Sequence, residues 1–133
     1  MRQLDEQTAV GGQIRPEEMP SLAAQGITMI INNRPDGEEP GQPEATEVER
    51  AAAAAGLDYR HIPVAQLSPE AVEAMREALG AATGPVLAFC KSGTRSTYLW
   101  ALARSIDGAP GETLIAGAAA AGYDLSPIRR FLR

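Results

Sequence analysis

Apolar runs and helical spacings take turns along this chain, separated by proline and glycine. Residues 27–31, Ile-Thr-Met-Ile-Ile, form a β-branched run of the kind that fills a buried parallel strand. Residues 85–89, Pro-Val-Leu-Ala-Phe, form a second, introduced by Gly84-Pro85. A third pattern alternates through residues 57–64 until Pro63 stops it. Thr8-Ala9-Val10 reads as an edge strand with Gly11-Gly12 as its turn.

Helices are predicted between these runs. Pro16-Glu17-Glu18 opens one, because proline is tolerated at the first helical position and acids favour that end; it closes near Gln25-Gly26. Another opens at Pro43 and runs from Ala45 to Ala55, ended by Gly56, with Val48 and alanines as a weakly apolar face. Ser68-Pro69-Glu70 starts a third, with a hydroxyl N-cap and inner-face residues Val72, Met75, Ala78 and Leu79. Tyr98, Leu99, Ala101, Leu102 and Ile106 recur at helical spacing in a fourth. A small-residue helix over 113–121 and a short one opening at Ser126-Pro127 complete the chain. Strands alternating with helices predict an α/β fold: a small, mostly parallel sheet of four to five strands, flanked by helices, in one domain over residues 1–133.

Ligands in such sheets collect at the carboxyl ends of the strands. Two segments fall there. Residues 32–43 carry three prolines and two glycines and form a loop that is long for so small a domain. Residues 90–97, Cys-Lys-Ser-Gly-Thr-Arg-Ser-Thr, lie where the 85–89 strand gives way to a helix. Gly93 can take a positive φ there, and successive backbone N–H groups can turn inward as an anion-binding nest. A thiol at a helix N-terminus beside a cation can fall from pKa ~8.5 to roughly 3.5–7.5. Cys90 is thus a candidate nucleophile and Arg95 a candidate bidentate clamp for an oxyanion above the sulfur. Lys91, Ser92, Gly93 and Thr94 line the loop, and the Ser96 hydroxyl is placed to donate to the thiolate. The plainer alternative is a lone cysteine packed as a small hydrophobe beside an ordinary turn.

Charge and composition narrow the setting. The 133 residues carry a net charge of −5, which argues against a nucleic-acid or anionic-membrane partner. No apolar run reaches the length of a membrane span, and the N-terminal Met-Arg-Gln-Leu-Asp-Glu lacks a signal-peptide core, so a cytoplasmic protein is expected. Abundant Ala, Gly, Pro and Arg point to a GC-rich bacterial genome. One cysteine and one histidine give no disulfide framework and too few ligands for a typical transition-metal site; no metal or cofactor is expected.

Four pieces of sequence together carry a resemblance: Gly12-Gln13-Ile14, then Asn32-Asn33-Arg34-Pro35-Asp36 with Glu39 and Gln42, then His61-Ile62-Pro63-Val64, then Cys90-x-x-Gly93-Thr94-Arg95-Ser96. The chain resembles the DUF442 family, the beta-lactamase-hydrolase-like phosphatase-like domains, whose members are often described as sulfur transferases. The resemblance covers roughly residues 9–132. It implies a fold similar to dual-specificity protein phosphatases, with Cys90 as nucleophile and Arg95 as oxyanion ligand.

Two departures from the phosphatase pattern bear on the chemistry. Those enzymes use a C-x5-R loop, whereas Cys90 to Arg95 is C-x4-R, similar in length to the persulfide-holding loop of rhodaneses. They also carry a general-acid aspartate after the strand that here ends in Ile62-Pro63-Val64, where this chain has Ala65-Gln66-Leu67. Asp36 is the nearest substitute acid, against a turn-closing role. Arg34 either adds positive potential beside the thiolate or pairs with Asp36 or Glu39. His61 reads as a structural histidine on a strand, with a role near the cysteine left open. Three functions stay open: a sulfurtransferase forming a Cys90 persulfide from thiosulfate or a persulfide, a tyrosine or dual-specificity phosphatase, and a non-catalytic oxyanion-binding or redox-sensing module. The expected partners are a small sulfur donor or a phosphorylated substrate, with a partner enzyme of sulfide oxidation in the first case.

Overall fold

The computed structural model describes residues 1–133. Five strands form one sheet: β1 (Arg2–Gln3), β2 (Thr8–Gly11), β3 (Met29–Asn32), β4 (Asp58–His61) and β5 (Val86–Phe89), in the order β1-β2-β5-β3-β4. All neighbours run parallel except β1, which pairs antiparallel with β2. The expected α/β architecture is therefore what the chain adopts. Thr8-Ala9-Val10 is not an edge, however. β1 covers one side of β2, β5 covers the other, and all three residues are buried. The two-residue β1 carries no periodicity by which sequence could have found it.

Helices α1 (Met19–Ala24), α2 (Ala45–Ala54), α3 (Pro69–Ala81), α4 (Thr94–Ile106) and α5 (Gly111–Ala120) flank the sheet, with 3-10 turns at Pro16–Glu18 and Ser126–Phe131. Side chains alternate across a strand, so each central strand feeds both cores. Met29, Ile31, Val86 and Ala88 join the core under α3, α4 and α5 with Met75, Leu99 and Trp100. Ile30, Leu87 and Phe89 join the core under α1 and α2 with Met19 and Val48. Full burial of a Phe, Met or Leu side chain contributes roughly 1.5–3 kcal/mol, and Phe89 is fully buried one residue before the cysteine. The strand that delivers Cys90 is anchored from both faces.

β5 enters last and sits between β2 and β3, the place where strand order reverses. Register sets the strand ends level: Gly11 and Asn32 both pair with Phe89, and Asn32 also pairs with His61. Beyond that line the ladder continues, as Cys90 N–H donates to Gly11 O at 3.3 Å and Asn33 N–H to Phe89 O at 2.8 Å. Three loops, after β2, β3 and β5, consequently open at one crevice. No helix is long and apolar enough to cross a membrane.

The Ser68 cap forms as its sequence predicts. Its side chain accepts from Ala71 N–H at 3.1 Å, satisfying one of the free amides at the start of α3. Ser68→Ala is expected to lower unfolding free energy by about 1 kcal/mol, measured by urea titration.

Candidate active site

The loop after β5 turns at Gly93, whose φ of 93° lies in the left-handed region, and α4 begins at the next residue. A Cβ at Gly93 would run into the hydroxyl of Tyr123, which donates to Ser92 O at 3.0 Å from the segment after α5. Gly12 is equally constrained, since a Cβ there would lie 2.9 Å from Lys91 O. Thr97 Oγ1 ties the turn down by donating to Gly93 O at 2.7 Å.

This turn aims amides at the sulfur. Gly93 N–H donates to Cys90 Sγ at 3.1 Å, and Cys90 is buried. Burial pushes the Cys90 thiol up, but the amides of Ser96, Ser92 and Gly93 outweigh it and leave the thiol below its ordinary value. We assign most of that effect to the amides. The Ser96 hydroxyl does not donate to the thiolate as expected: its single hydrogen goes to Asn33 Oδ1 at 2.7 Å, and Asn33 is held in that orientation because its Nδ2 donates to Ile62 O at 3.0 Å.

The loop after β3 folds over the cysteine loop. Asn32 Oδ1 takes the N–H of Arg34, while Gln42 bridges Pro35 O and Glu38 N–H. Glu38 is thereby placed between two arginines. Its Oε2 accepts from Arg95 Nη1 at 2.8 Å, and its Oε1 accepts from Arg95 Nη2 at 2.9 Å and from Arg34 Nε at 2.8 Å. Arg95 Nη1 also donates to Val64 O at 2.8 Å. These bonds to Arg95, and then to Arg34, lower the Glu38 carboxyl from 4.5 to about 2 against the opposing effect of burial. Arg95 is raised in turn, first by Glu38, with a further contribution from the negative Cys90.

The expected site residues divide on this geometry. Cys90, Ser92, Gly93, Thr94, Arg95 and Ser96 belong to one loop and its helix, with Ser92 Oγ 3.1 Å from Thr94 Oγ1. Lys91 is mostly exposed, its Nζ 3.8 Å from Glu39 Oε1. Arg34 is 3% exposed and fully engaged: besides Glu38 it donates to Gln13 Oε1 at 2.9 Å and Glu39 Oε1 at 2.6 Å, and it makes no pair with Asp36. The Asp36 carboxylate accepts Ala45 N–H at 2.8 Å and so caps the start of α2. His61 Nε2 lies 3.2 Å from Arg34 O, touching the loop through its backbone.

Glu38, Tyr123 and the lock that Asn33 places on Ser96 were not singled out from sequence. The acidic dipeptide Glu38-Glu39 beside Arg34 offered a charge signal, but which acid meets Arg95 depends on how the loop returns.

Comparison with known proteins fits this arrangement. The family model described as Beta-lactamase hydrolase-like protein, phosphatase-like domain matches residues 1–107. A Beta-lactamase hydrolase-like protein of Agrobacterium fabrum (strain C58) is 45% identical over 107 residues, covering 79% of this chain but 25% of that protein. The crystal structure of a candidate phosphatase from Neisseria meningitidis Z2491 superposes with a TM-score of 0.84 at 36% identity, covering 97% of this chain and 93% of that one. The kinase-associated phosphatase, solved with its catalytic-site cysteine changed to serine, shares the fold alone: TM-score 0.73, 15% identity, 92% of this chain and 80% of that one. The fold is that of dual-specificity phosphatases, and a cysteine-nucleophile function of phosphatase-like type is supported.

Two titrations probe the electrostatics. Iodoacetamide labelling of Cys90 should show a midpoint below that of the same protein unfolded in urea; an equal or higher midpoint would mean the amides do not offset burial. Glu38 has a folded pKa below its unfolded one, so its contribution to stability is present above pH 4.5 and is lost as pH falls from 4.5 towards 2. The stability advantage of wild type over Glu38→Gln, measured by urea unfolding, should therefore shrink across that window.

Proposed function

Since the chain belongs to the family of Beta-lactamase hydrolase-like protein, phosphatase-like domains, we propose that it works as a cysteine-dependent sulfurtransferase built on a phosphatase-like fold. The observation that carries this reading is the state of the carboxylate on Arg95. Glu38 is clamped between two arginines, which hold its carboxyl well below the ordinary carboxylate range and make it a poor proton donor to a leaving alkoxide. The segment after Val64 offers Ala65, Gln66 and Leu67, and Asp36 is engaged at the start of α2. Phosphomonoester cleavage with a poor leaving group calls for general acid help. Sulfur transfer does not.

In the proposed reaction the Cys90 thiolate attacks the outer sulfur of thiosulfate or of a persulfide R–S–SH. The Sγ–S bond forms as the donor's S–S bond breaks, and sulfite or R–S⁻ leaves with the bonding pair. The sulfur carried on Cys90 is stabilised by the Ser92, Gly93 and Ser96 amides. An acceptor thiolate then attacks that sulfur, forming a new persulfide and returning Cys90 as thiolate, a ping-pong sequence. The C-x4-R loop length supports the same reading, because one residue fewer than in phosphatases shrinks the ring of amides around a tetrahedral ligand. A partner enzyme of sulfide oxidation would supply the donor or consume the product.

A second reading has its own support. The Neisseria meningitidis protein is described as a candidate phosphatase, and it is similar to this chain over nearly its full length. On that reading a phosphorylated substrate forms a phosphocysteine at Cys90, and Asp36 leaves its cap to act as the acid.

The two are separated in one preparation. Turnover with a sulfane-sulfur donor and thiol acceptor should exceed turnover with phosphotyrosine or phosphoserine peptides, and mass spectrometry should find one added sulfur atom on Cys90. Cys90→Ser should lose the transfer and the adduct. Faster cleavage of the peptides, abolished in Asp36→Asn, would establish the phosphatase instead.

A further inference from the structure

Three cations lie on the cysteine loop and on the loop folded over it: Arg34, Lys91 and Arg95. They are paired with two carboxylates, Glu38 and Glu39. Each of these cations therefore already has a carboxylate partner before any substrate arrives. An incoming persulfide group brings at most one charge on its sulfur, whereas a tetrahedral dianion adds two charges beside a buried sulfur.

Geometry acts in the same direction. The planar fork of Arg95, the group best suited to grip a sulfonate or phosphate, already spends both Nη atoms on Glu38. Glu38 is not free to swing away, since Arg34 Nε holds its Oε1 from the other side and Gln42 Oε1 accepts its backbone N–H at 3.1 Å. Arg34 is itself buried and tied to Gln13 and Glu39. A dianion would have to evict a carboxylate fixed at three points. A sulfane sulfur can instead be held by the loop amides, of which Gly93 N–H already donates to Cys90 Sγ at 3.1 Å, without displacing Glu38 from Arg95.

We propose that Glu38 is a specificity-determining residue that excludes divalent tetrahedral anions from the Cys90 loop, making an organic persulfide the donor and thiosulfate and phosphomonoesters poor ligands. Glu38 acts through Arg95, and the donor assignment rests on the sulfurtransferase reading. The exclusion of dianions does not depend on that reading, because it rests on the carboxylate that Arg95 and Arg34 already hold.

The test uses the intact chain with inorganic phosphate as probe. Calorimetric titration of wild type, Glu38→Gln and Glu39→Gln should show phosphate affinity rising about tenfold in Glu38→Gln and changing by less than about threefold in Glu39→Gln. The second variant removes the same charge from the same loop but leaves the Arg95 fork occupied. The kcat/KM ratio of thiosulfate to glutathione persulfide should rise about tenfold in Glu38→Gln as well. Glu38→Asp keeps the charge and withdraws it by one methylene; it should bind phosphate between wild type and Glu38→Gln, and it carries the test if Glu38→Gln fails to fold by circular dichroism. Unchanged or weaker phosphate binding in the folded Glu38 variants overturns the exclusion, as does an equal gain in Glu39→Gln. Failure of the sulfurtransferase reading shows separately, as no added sulfur on wild-type Cys90 from either donor.

Discussion

A thiolate held out of water needs partners that are already in place, and the left-handed turn at Gly93 supplies them. Burial by itself favours the neutral thiol. The turn reverses this by pointing backbone N–H groups at Sγ from two directions, the loop and the first turn of α4. Because amides are uncharged donors fixed by the backbone, they stabilise the anion without rearranging. Much of the surrounding structure follows from keeping that turn closed. Gly12 has no side chain where β2 meets Lys91, Tyr123 packs on the outside of the loop, and Thr97 ties Gly93 O to the helix.

Around the amides lies a second arrangement made of side chains. Asn33 is locked by Ile62 O and takes the Ser96 hydroxyl, so the strand β3, the end of β4 and the start of α4 are joined by two short bonds. Arg34, on the next residue, reaches the opposite way and holds Glu38 and Glu39 over the loop. Adjacent residues of one extended segment project to opposite sides, which lets a single stretch serve both the thiolate's support and its countercharge. The result is a nucleophile in a largely pre-formed site whose cations already have carboxylate partners. That differs from a cationic cleft open to any anion, and it is consistent with a protein whose net charge is negative.

The matched family region ends at residue 107, yet the residues beyond it are integral to this molecule. Leu114, Ala118, Leu125 and Ile128 enter the core on α4, and Tyr123 reaches the site itself. Gly111 and Gly117 allow this close docking, their α-carbons facing Arg133 O and Leu4 O where a Cβ would collide. Packing of the C-terminal segment and the shape of the cysteine loop are therefore coupled through one tyrosine hydroxyl.

The sequence by itself determined what depends on near neighbours. Runs of β-branched residues marked β3 and β5, Ser68-Pro69 marked the start of α3, and Cys90, Gly93 and Arg95 fell together because a strand–turn–helix unit is local. A resemblance in the Asn-Arg-Pro-Asp and cysteine segments brought the family with it. Tertiary structure alone decided the rest, because it concerns pairs far apart in the chain. Arg95 and Glu38 are 57 positions apart, Ser96 and Asn33 63, and Tyr123 and Ser92 31. No periodicity encodes such meetings. They arise when β5 inserts between β2 and β3 and brings three strand ends level, and only then does a charged loop find which arginine it will hold.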